Sequence, residues 1–442
     1  MKGIMEQGAY TVLTKLQEKG YEAYLVGGCV RDKQLHRTVK DYDIATSAKP
    51  EQVLDLFERT IPTGLQHGTV TVVLGAHHYE VTTFRKEAAY EQFRRPAEVQ
   101  FIDSLHEDLQ RRDFTMNAMA LDQHGNLIDP FGGLADMEHG LLRCVGDASE
   151  RFTEDALRML RCIRFSAEYG LEVEAATWKA LCEHSLLLKH IAMERVRMEL
   201  ERMIAGADPV KALGLLVSSG ILLETKQALK LAQLDPEHMP TAIHLLLESD
   251  ARWTYLFLSI GLNAAEIEAD MRVLTFSVDQ IKRVYKAAAA FYMLREGLLL
   301  NQDEYVQEPA LEKKLEHLWK LGALTYGKAA WLTLYDILAV EPRWMESHGL
   351  TVEACAIMLS HGKEWLDALI VDNLKLLQVG GKGFSHIWIS HRDHGLQRFS
   401  VIYYMKRRLG DCRMKPVCLL LKPCDSSNII ICKEAVHQYE YK

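Results

Sequence analysis

The spacing of apolar positions changes period several times along this chain. Residues 1–17 (M-K-G-I-M-E-Q-G-A-Y-T-V-L-T-K-L-Q) set apolar side chains three and four apart, which predicts an amphipathic helix rather than a signal peptide. Residues 1–20 are then expected to pack on a first strand, the short apolar run Tyr24 to Val26. That run breaks at Gly27-Gly28, turns into a helix carrying Arg31, and returns as a strand bearing Asp41 and Asp43 and ending at Thr46. Ser47-Ala48-Lys49-Pro50-Glu51 combines a polar cap, a proline and an early acid, so a helix is expected over Glu51 to Phe57. After Ile61-Pro62-Thr63-Gly64, two β-branched runs, Thr69 to Leu74 and Tyr79 to Phe84, flank Gly75 and predict a hairpin.

Residues 86–98 mix both charge signs without periodicity and read as a surface loop. The string Arg111-Arg112-Asp113-Phe114-Thr115-Met116-Asn117-Ala118 predicts a helix capped by Asp113 and continuing to Met119. Leu127 to Gly133 reads as a strand and turn closing the sheet, and Leu141 to Val145 as a last strand. The period then becomes helical. Thr153 to Phe165 carries a stripe of Leu157, Leu160 and Met159/Ile163; Ala175 to Leu188, Met193 to Ala205, Pro209 to Ser218 and several further segments follow to about Ile370, with no tandem repeat. From about Gln378 the pattern departs again: Gly380 to His391 and Val417 to Cys432 are rich in glycine, aromatic and β-branched residues.

Length adds that 442 residues exceed what one hydrophobic core usually serves, so two or more domains are expected. No stretch approaches the roughly 18 apolar residues needed to cross a bilayer, Trp253 to Leu262 being the nearest, so a cytoplasmic protein with no membrane partner is expected. Nine cysteines without C-x-x-C spacing indicate reduced, mostly buried thiols, and the wide spacing of Cys412, Cys418, Cys424 and Cys432 argues against a metal site there. A net charge of −8 by itself argues against a protein coated in basic surface, so any RNA contact must use a local basic strip. Nothing in the pattern implies an oligomeric state.

The candidate chemistry starts at Tyr24 to Thr46. Paired glycines let backbone N–H groups approach a ligand closely, and a following helix start favours phosphate at that corner, where Gly28 and Arg31 stand. Residues i and i+2 of a strand share a face about 6–7 Å apart, so Asp41 and Asp43 lie side by side. Like charges so placed repel unless a divalent cation joins them, which points to Mg²⁺ and a nucleotide. Taken singly, the glycines are a turn and the aspartates a solvated strand end; together they make a site. Glu80, on the second strand of the predicted hairpin, is in such a place most often a solvated residue, but here a third carboxylate could complete the metal cage or help accept the proton from a hydroxyl.

A second constellation falls in Thr153 to Phe165. Asp155, Arg158, Arg161 and Arg164 recur every third residue and trace a ridge along a helix; the plain account of such a ridge is an exposed ion-pair face. Cytosine and adenine both show an amino donor beside a ring-nitrogen acceptor, whereas guanine and uracil show the reverse. One carboxylate and one guanidinium held side by side, such as Asp155 and Arg158, would pair with C and A and reject G and U. Arg161 and Arg164 would steady Asp155, the triphosphate, or both. Glu194, Arg195 and Arg197 could support the same site from a following helix, although such charges are ordinarily solvated.

G-G-x-V-R-D followed by D-x-D resembles the catalytic head of the polymerase beta nucleotidyltransferase superfamily. With Glu80-Val81-Thr82-Thr83-Phe84-Arg85, the R-R-D-F-T-x-N-A string and Glu154-Asp155-x-x-Arg158, the chain resembles the class II tRNA nucleotidyltransferases (CCA-adding enzymes) and the bacterial poly(A) polymerases over residues 20–205. That resemblance implies an α+β protein with an N-terminal nucleotidyltransferase head built on a small mixed sheet (1–147), then an all-helical neck for base selection (148–206), body (207–325) and tRNA-binding tail (326–442, its last part atypical). It implies template-independent addition of CCA to the 3′ end of tRNA from CTP and ATP. Asp41 and Asp43 would hold two Mg²⁺ ions, with Glu80 the third catalytic carboxylate. Gly28, Arg31 and Arg112 would hold triphosphate or sugar, Asp155 and Arg158 would read the base, and Arg161 and Arg164 would continue the nucleotide site. Residues 86–98 match in length a flexible loop that helps relatives switch from C to A addition, which disfavours a CC-only enzyme. An A-adding enzyme, a poly(A) polymerase and a non-catalytic RNA-binding scaffold are the rivals.

Overall fold

The computed structural model describes residues 3–87, 90–91, 95–96, 99–299, 308–341, 350–367, 384–393 and 396–405. The chain divides into two compact units, Met1–Leu366 and Asp367–Lys442. In the first unit, α1 (Ile4–Glu18) buries Ala9, Val12, Leu13 and Leu16, the three-and-four spacing of a core-facing helix. There follow β1 (Ala23–Val26), α2 (Gly28–Gln34), β2 (Asp43–Thr46), α3 (Pro50–Leu56), β3 (Thr60–Gly64), β4 (Thr69–Leu74) and β5 (His77–Thr83). Two small antiparallel pairs come next: β6 (Arg85–Glu87) with β9 (Val99–Phe101), and β7 (Tyr90–Glu91) with β8 (Arg95–Pro96). The stretch expected to be a surface loop is therefore partly strand, with 88–89, 92–94 and 97–98 outside the described residues. Short runs with alternating charge carry no hydrophobic period, so pairing there leaves no pattern to read.

With α4 (Leu105–Gln110), β10 (Ala120–Leu121) and β11 (Leu127–Ile128) the head is complete, its seven strands ordered β11-β10-β1-β2-β5-β4-β3. Strand β1 runs antiparallel to β2 with Val26 opposite Asp43, and β2 runs parallel to β5 with Asp43 beside Glu80. A core of Val26, Ala45, Phe84, Leu109, Ala118, Ala120 and Val145 lies against this sheet. Burying Phe84 alone contributes about 2–3 kcal/mol, and its ring stacks on Tyr24 at 6.3 Å.

Three expected elements come out differently. No helix starts at Asp113: α4 ends at an Arg111 C-cap, and Thr115–Asn117 is one 3₁₀ turn. Asp113 is instead buried, with its oxygens engaged by Phe114 N, Asn117 Nδ2 and Arg161, so tertiary pairing overrides its capping propensity. After α5 (Gly133–Glu138), only Leu141–Leu142 (β12) of the predicted last strand is strand, and it pairs in parallel with β13 (Glu172–Val173) outside the head sheet. The predicted helix over Thr153 to Phe165 is two helices, α6 (Ala148–Glu154) and α7 (Leu157–Tyr169). Asp155 lies between them in an extended conformation (φ −139°, ψ 102°), where its side chain accepts from Leu157 N at 3.1 Å. An aspartate that caps the next helix in this way competes with continuation of the last one.

Helices α8 (Ala175–His184), α9 (Met193–Ala205) and α10 (Pro209–Ser219) follow, the last capped by Asp208 accepting from Lys211 N and ended by left-handed Gly220. Residues 221–245 are mostly short 3₁₀ turns, and α11 (Ser249–Ser259), α12 (Ala264–Val273), α13 (Val278–Leu299), α14 (Glu308–Tyr326), α15 (Lys328–Val340) and a helix over Val352–Asp367 complete the unit. Fully buried Trp253, Trp319 and Trp331 fill their packing. The expected borders after 147, 206 and 325 all fall within this one unit. No helix among the described residues is long and apolar enough to cross a membrane. Cys29, Cys144, Cys162 and Cys355 are buried free thiols and Cys182 is exposed, while Cys412, Cys418, Cys424 and Cys432 lie outside the described residues.

In the second unit, Phe384–Asp393 and Leu396–Met405 form an antiparallel hairpin running from Phe384 opposite Met405 to Asp393 opposite Leu396. The β-branched and aromatic composition there takes the strand form it favours. Val417 to Cys432 lies outside the described residues.

Candidate functional site

The glycine corner is where head residues converge. Gly27 takes φ +73°, and a Cβ there would stand 3.0 Å from Arg112 Nη1 and 3.7 Å from Asp43 Oδ2. Only glycine supplies both the left-handed backbone and the space. Asp41 is exposed and lies two residues ahead of β2 rather than on it; Asp43 opens the strand; Glu80 is exposed directly beside Asp43 on β5. The Asp43 carboxyl is pushed up to about 6 by burial first, then by Asp41 and by Glu80, against the opposing pull of Arg112. Among the described residues no three His, Cys, Asp or Glu side chains are gathered as a metal cage. What stands here is an open set of hard oxygens with excess negative charge. It fits a hard divalent cation, held by one or two carboxylates with its remaining positions filled by water.

Arg31 is buried under the same corner, its Nη2 3.5 Å from where a Cβ of Gly28 would be. Helix α2 has seven residues, so its dipole is short; fixed side chains carry the positive charge. The Arg31 guanidinium donates to Asp32 Oδ1 through Nε and Nη2, both at 2.9 Å, and to Asn117 Oδ1 through Nη1 at 2.7 Å. Arg112 donates to the Asn117 carbonyl at 3.3 Å and pairs with buried Asp108 at 3.4 Å. Asn117 thus touches Arg31, Arg112 and, through Nδ2 at 3.0 Å, Asp113. Its place in the R-R-D-F-T-M-N-A string is the signal that marks it, although the string's expected helix concealed the contact.

The proposed base readers stand in a denser network. Because α6 ends at Glu154, Asp155 is not part of the arginine ridge; Arg158, Arg161 and Arg164 alone follow one another on α7. The Asp155 carboxylate is held by Arg195 of α9 at 3.0 Å as well as by Leu157 N. Arg158 is buried, and its fork lies on Glu154 Oε2 at 2.5 Å, Arg151 O at 3.1 Å and Arg111 O at 2.9 Å. Arg161 grips Asp113 through Nε at 2.8 Å and Nη2 at 2.7 Å. Burial alone would raise the Asp113 carboxyl, but Arg161, then Asn117 and Arg158, hold it far below the usual carboxylate range. Arg164 pairs with buried Glu199 at 2.6 Å. Of the three charges on the following helix, Arg195 is the one that reaches Asp155, while Arg197 pairs with Glu201 on its own helix. Period alone does not tell these two apart.

Residues 23–143 match the family described as Poly A polymerase head domain, and residues 170–228 match the one described as Probable RNA and SrmB-binding site of polymerase A. The CCA-adding enzyme of Limosilactobacillus reuteri (strain DSM 20016) is 42% identical over 292 residues, 66% of this chain and 72% of that one. That of Lactobacillus delbrueckii subsp. bulgaricus is 37% identical over 354 residues, 77% of this chain and 88% of the relative. Among solved structures, the Bacillus stearothermophilus CCA-adding enzyme in complex with CTP superposes with a TM-score of 0.64 at 32% identity, over 83% of this chain and 84% of that chain. With a glycine corner and paired aspartates in the head, a following helix that grips head residues Asp113 and Arg37, and relatives at this identity over this length, the chain belongs to the CCA-adding enzyme family of nucleotidyltransferases.

Proposed function

We propose that this protein adds CCA to the 3′ end of tRNA, taking CTP and ATP as substrates and releasing pyrophosphate, in the cytoplasm. The observation that carries the chemistry is the excess negative charge at Asp41, Asp43 and Glu80 against a glycine corner lined by Arg31 and Arg112. Asp41 and Asp43 would hold Mg²⁺, which when bound lowers the pKa of the tRNA 3′ hydroxyl and neutralises the leaving pyrophosphate. Gly28 offers backbone and Arg31 and Arg112 offer guanidinium donors to the triphosphate or sugar, orienting the α-phosphorus for in-line attack. Glu80, exposed beside Asp43, is placed to help take up the proton of the attacking hydroxyl.

Base choice is assigned to Asp155 and Arg158. A carboxylate has about four lone-pair sites, so Asp155 can accept from the amino group of C or A while Arg195 and Leu157 N hold it. Arg158 would donate to the ring nitrogen by exchanging one of its carbonyl contacts for the base. Arg161 and Arg164 support the pocket through Asp113 and Glu199. The division into head (1–147), neck (148–206), body (207–325) and tRNA-binding tail (326–442) is part of the same proposal.

The test supplies tRNAs ending at the discriminator base, at C and at CC, with CTP and ATP separately. The proposal expects CTP to extend the first two, ATP the third only, and synthesis to stop at CCA. Extension of the CC-ending tRNA alone would make it an A-adding enzyme, and extension of the other two without A addition a CC-adding one. Long tails from ATP on an RNA without tRNA shape would make it a poly(A) polymerase. No incorporation on any substrate would leave only an RNA-binding scaffold.

A further inference from the structure

Tyr169, the last residue of α7, sits far along that helix from the base readers, yet its ring is gripped by two guanidiniums of the head. Arg31 lies 4.4 Å and Arg37 4.6 Å from its centroid. The phenol donates to Asp32 Oδ1 at 3.1 Å, the same oxygen that takes Nε and Nη2 of Arg31. Phe165, one turn earlier, adds a second ring 5.5 Å from Arg31. Beside these, Arg37 pairs with Glu168 at 3.1 Å and donates to its carbonyl at 3.2 Å, fixing the end of α7 to the head.

We propose that Tyr169 is a positioning residue for Arg31, walling the guanidinium with its ring and fixing Asp32 with its hydroxyl so that the remaining donors face the nucleoside triphosphate. An arginine keeps its fork orientation only if its plane is stacked and its acceptors are fixed, and Tyr169 supplies one contact of each kind. The arrangement also couples two functions through one rod. From Arg158 to Tyr169 is eleven helical steps, about 16 Å, so α7 presents base selection at one end and braces the phosphate-binding arginine at the other. The inference rests on the assignment of Arg31 to the triphosphate.

The experiment measures steady-state CTP incorporation on a tRNA ending at the discriminator base. It compares the wild type with Tyr169→Phe, Tyr169→Leu, Arg31→Lys and the Tyr169→Leu/Arg31→Lys double variant. Tyr169→Leu should raise the KM for CTP roughly ten-fold, and Tyr169→Phe, which keeps the ring, about two- to three-fold, with the KM for tRNA unchanged in both. The double variant should be no worse than Arg31→Lys alone, because a positioning residue has nothing left to position. If Tyr169→Leu does not fold, the Phe variant and its pairing with Arg31→Lys carry the same test. An unchanged KM for CTP, an equal rise in the KM for tRNA, or simple additivity would overturn the role. A wild type that incorporates nothing would instead sink the assignment of Arg31, and this inference with it.

Discussion

The head and the helices that follow it are joined by side-chain pairs such as Asp113 with Arg161, and the two regions treat their carboxylates in opposite ways. In the head, no ion pair with a described residue engages Asp41, Asp43 or Glu80, and Asp43 is pushed up to about 6 by burial and by its two acidic neighbours. In the neck and along its seam with the head, arginines meet the acids pair by pair: Asp113 with Arg161, Asp155 with Arg195, Glu154 with Arg151 and Arg158, Glu199 with Arg164 and Arg202. One region carries negative charge that its own residues offset only in part, through Arg112. The other is neutralised before any ligand arrives, which costs attraction but fixes geometry. Under the proposed function the two would be complementary: a corner with unpaired negative charge to collect metal and triphosphate, and a pre-set frame to compare bases.

The largest effect should come from removing the stored charge. Asp43→Asn keeps the shape and hydrogen-bonding reach of the side chain while taking away the repulsion, so nucleotide incorporation should fall by roughly 10³-fold or more. Because the change relieves strain, the melting temperature in metal-free buffer at neutral pH should hold or rise, and tRNA binding should persist. A gel assay of end extension beside thermal melting and a tRNA binding titration reads all three. Activity within about ten-fold of wild type would mean the corner is not where the metal acts.

How much of this contrast the sequence disclosed differs between the two regions for a physical reason. Gly27-Gly28, Asp41 and Asp43 sit within seventeen residues, and Glu80 joins them through one parallel ladder, so their grouping could be read from local spacing. The neck network joins residues such as Asp113 with Arg161 and Asp155 with Arg195, separated by 48 and 40 positions. No local period records such pairs. The break at Asp155 is the instructive case: a three-residue recurrence of charge is what a helix ridge requires, but the helix ends at Glu154, the Asp155 side chain accepts from Leu157 N, and the ridge begins only with Arg158 on the next helix. Asp113 likewise has the chemistry of a helix cap and was drawn instead into a buried ion pair. In both places a polar side chain satisfied a tertiary partner at the expense of its local preference.

A smaller effect tests whether the pre-neutralised frame does the selecting. Asp155→Ala removes the acceptor for the base amino group, and discrimination of C and A against U and G should fall about 10- to 100-fold, the worth of one good two-point base contact. Arg195→Ala leaves the acceptor but frees it, so it should lose part of the same discrimination with little change in tRNA affinity. Competition assays with all four nucleotides on a tRNA ending at the discriminator base measure the ratio. Full discrimination in both variants would show that the frame is structural only.

The smallest effect is a difference in sign with pH. Asp43 has a raised carboxyl, so the native protein holds that proton more firmly than the unfolded chain does between the ordinary value of 3.8 and about 6. Its stabilising share is complete below the unfolded value and is lost as pH rises through the native one. Asp113 is held low by Arg161, so its share is present above the unfolded value and lost as pH falls toward the native one. In metal-free buffer the melting temperature of Asp43→Asn relative to wild type should therefore climb between about pH 4 and pH 6 and then level off, by the equivalent of about 1–2 kcal/mol once the partial exposure of Asp43 is discounted. The deficit of Asp113→Asn should move the other way, full at pH 6 and shrinking below about pH 4 as the unfolded wild-type chain takes up a proton there while the native carboxylate stays ionised. Parallel curves for the two variants would mean that head and neck do not store charge differently; saturating Mg²⁺ should flatten the first curve and leave the second untouched, because only the head has an unfilled demand for a cation.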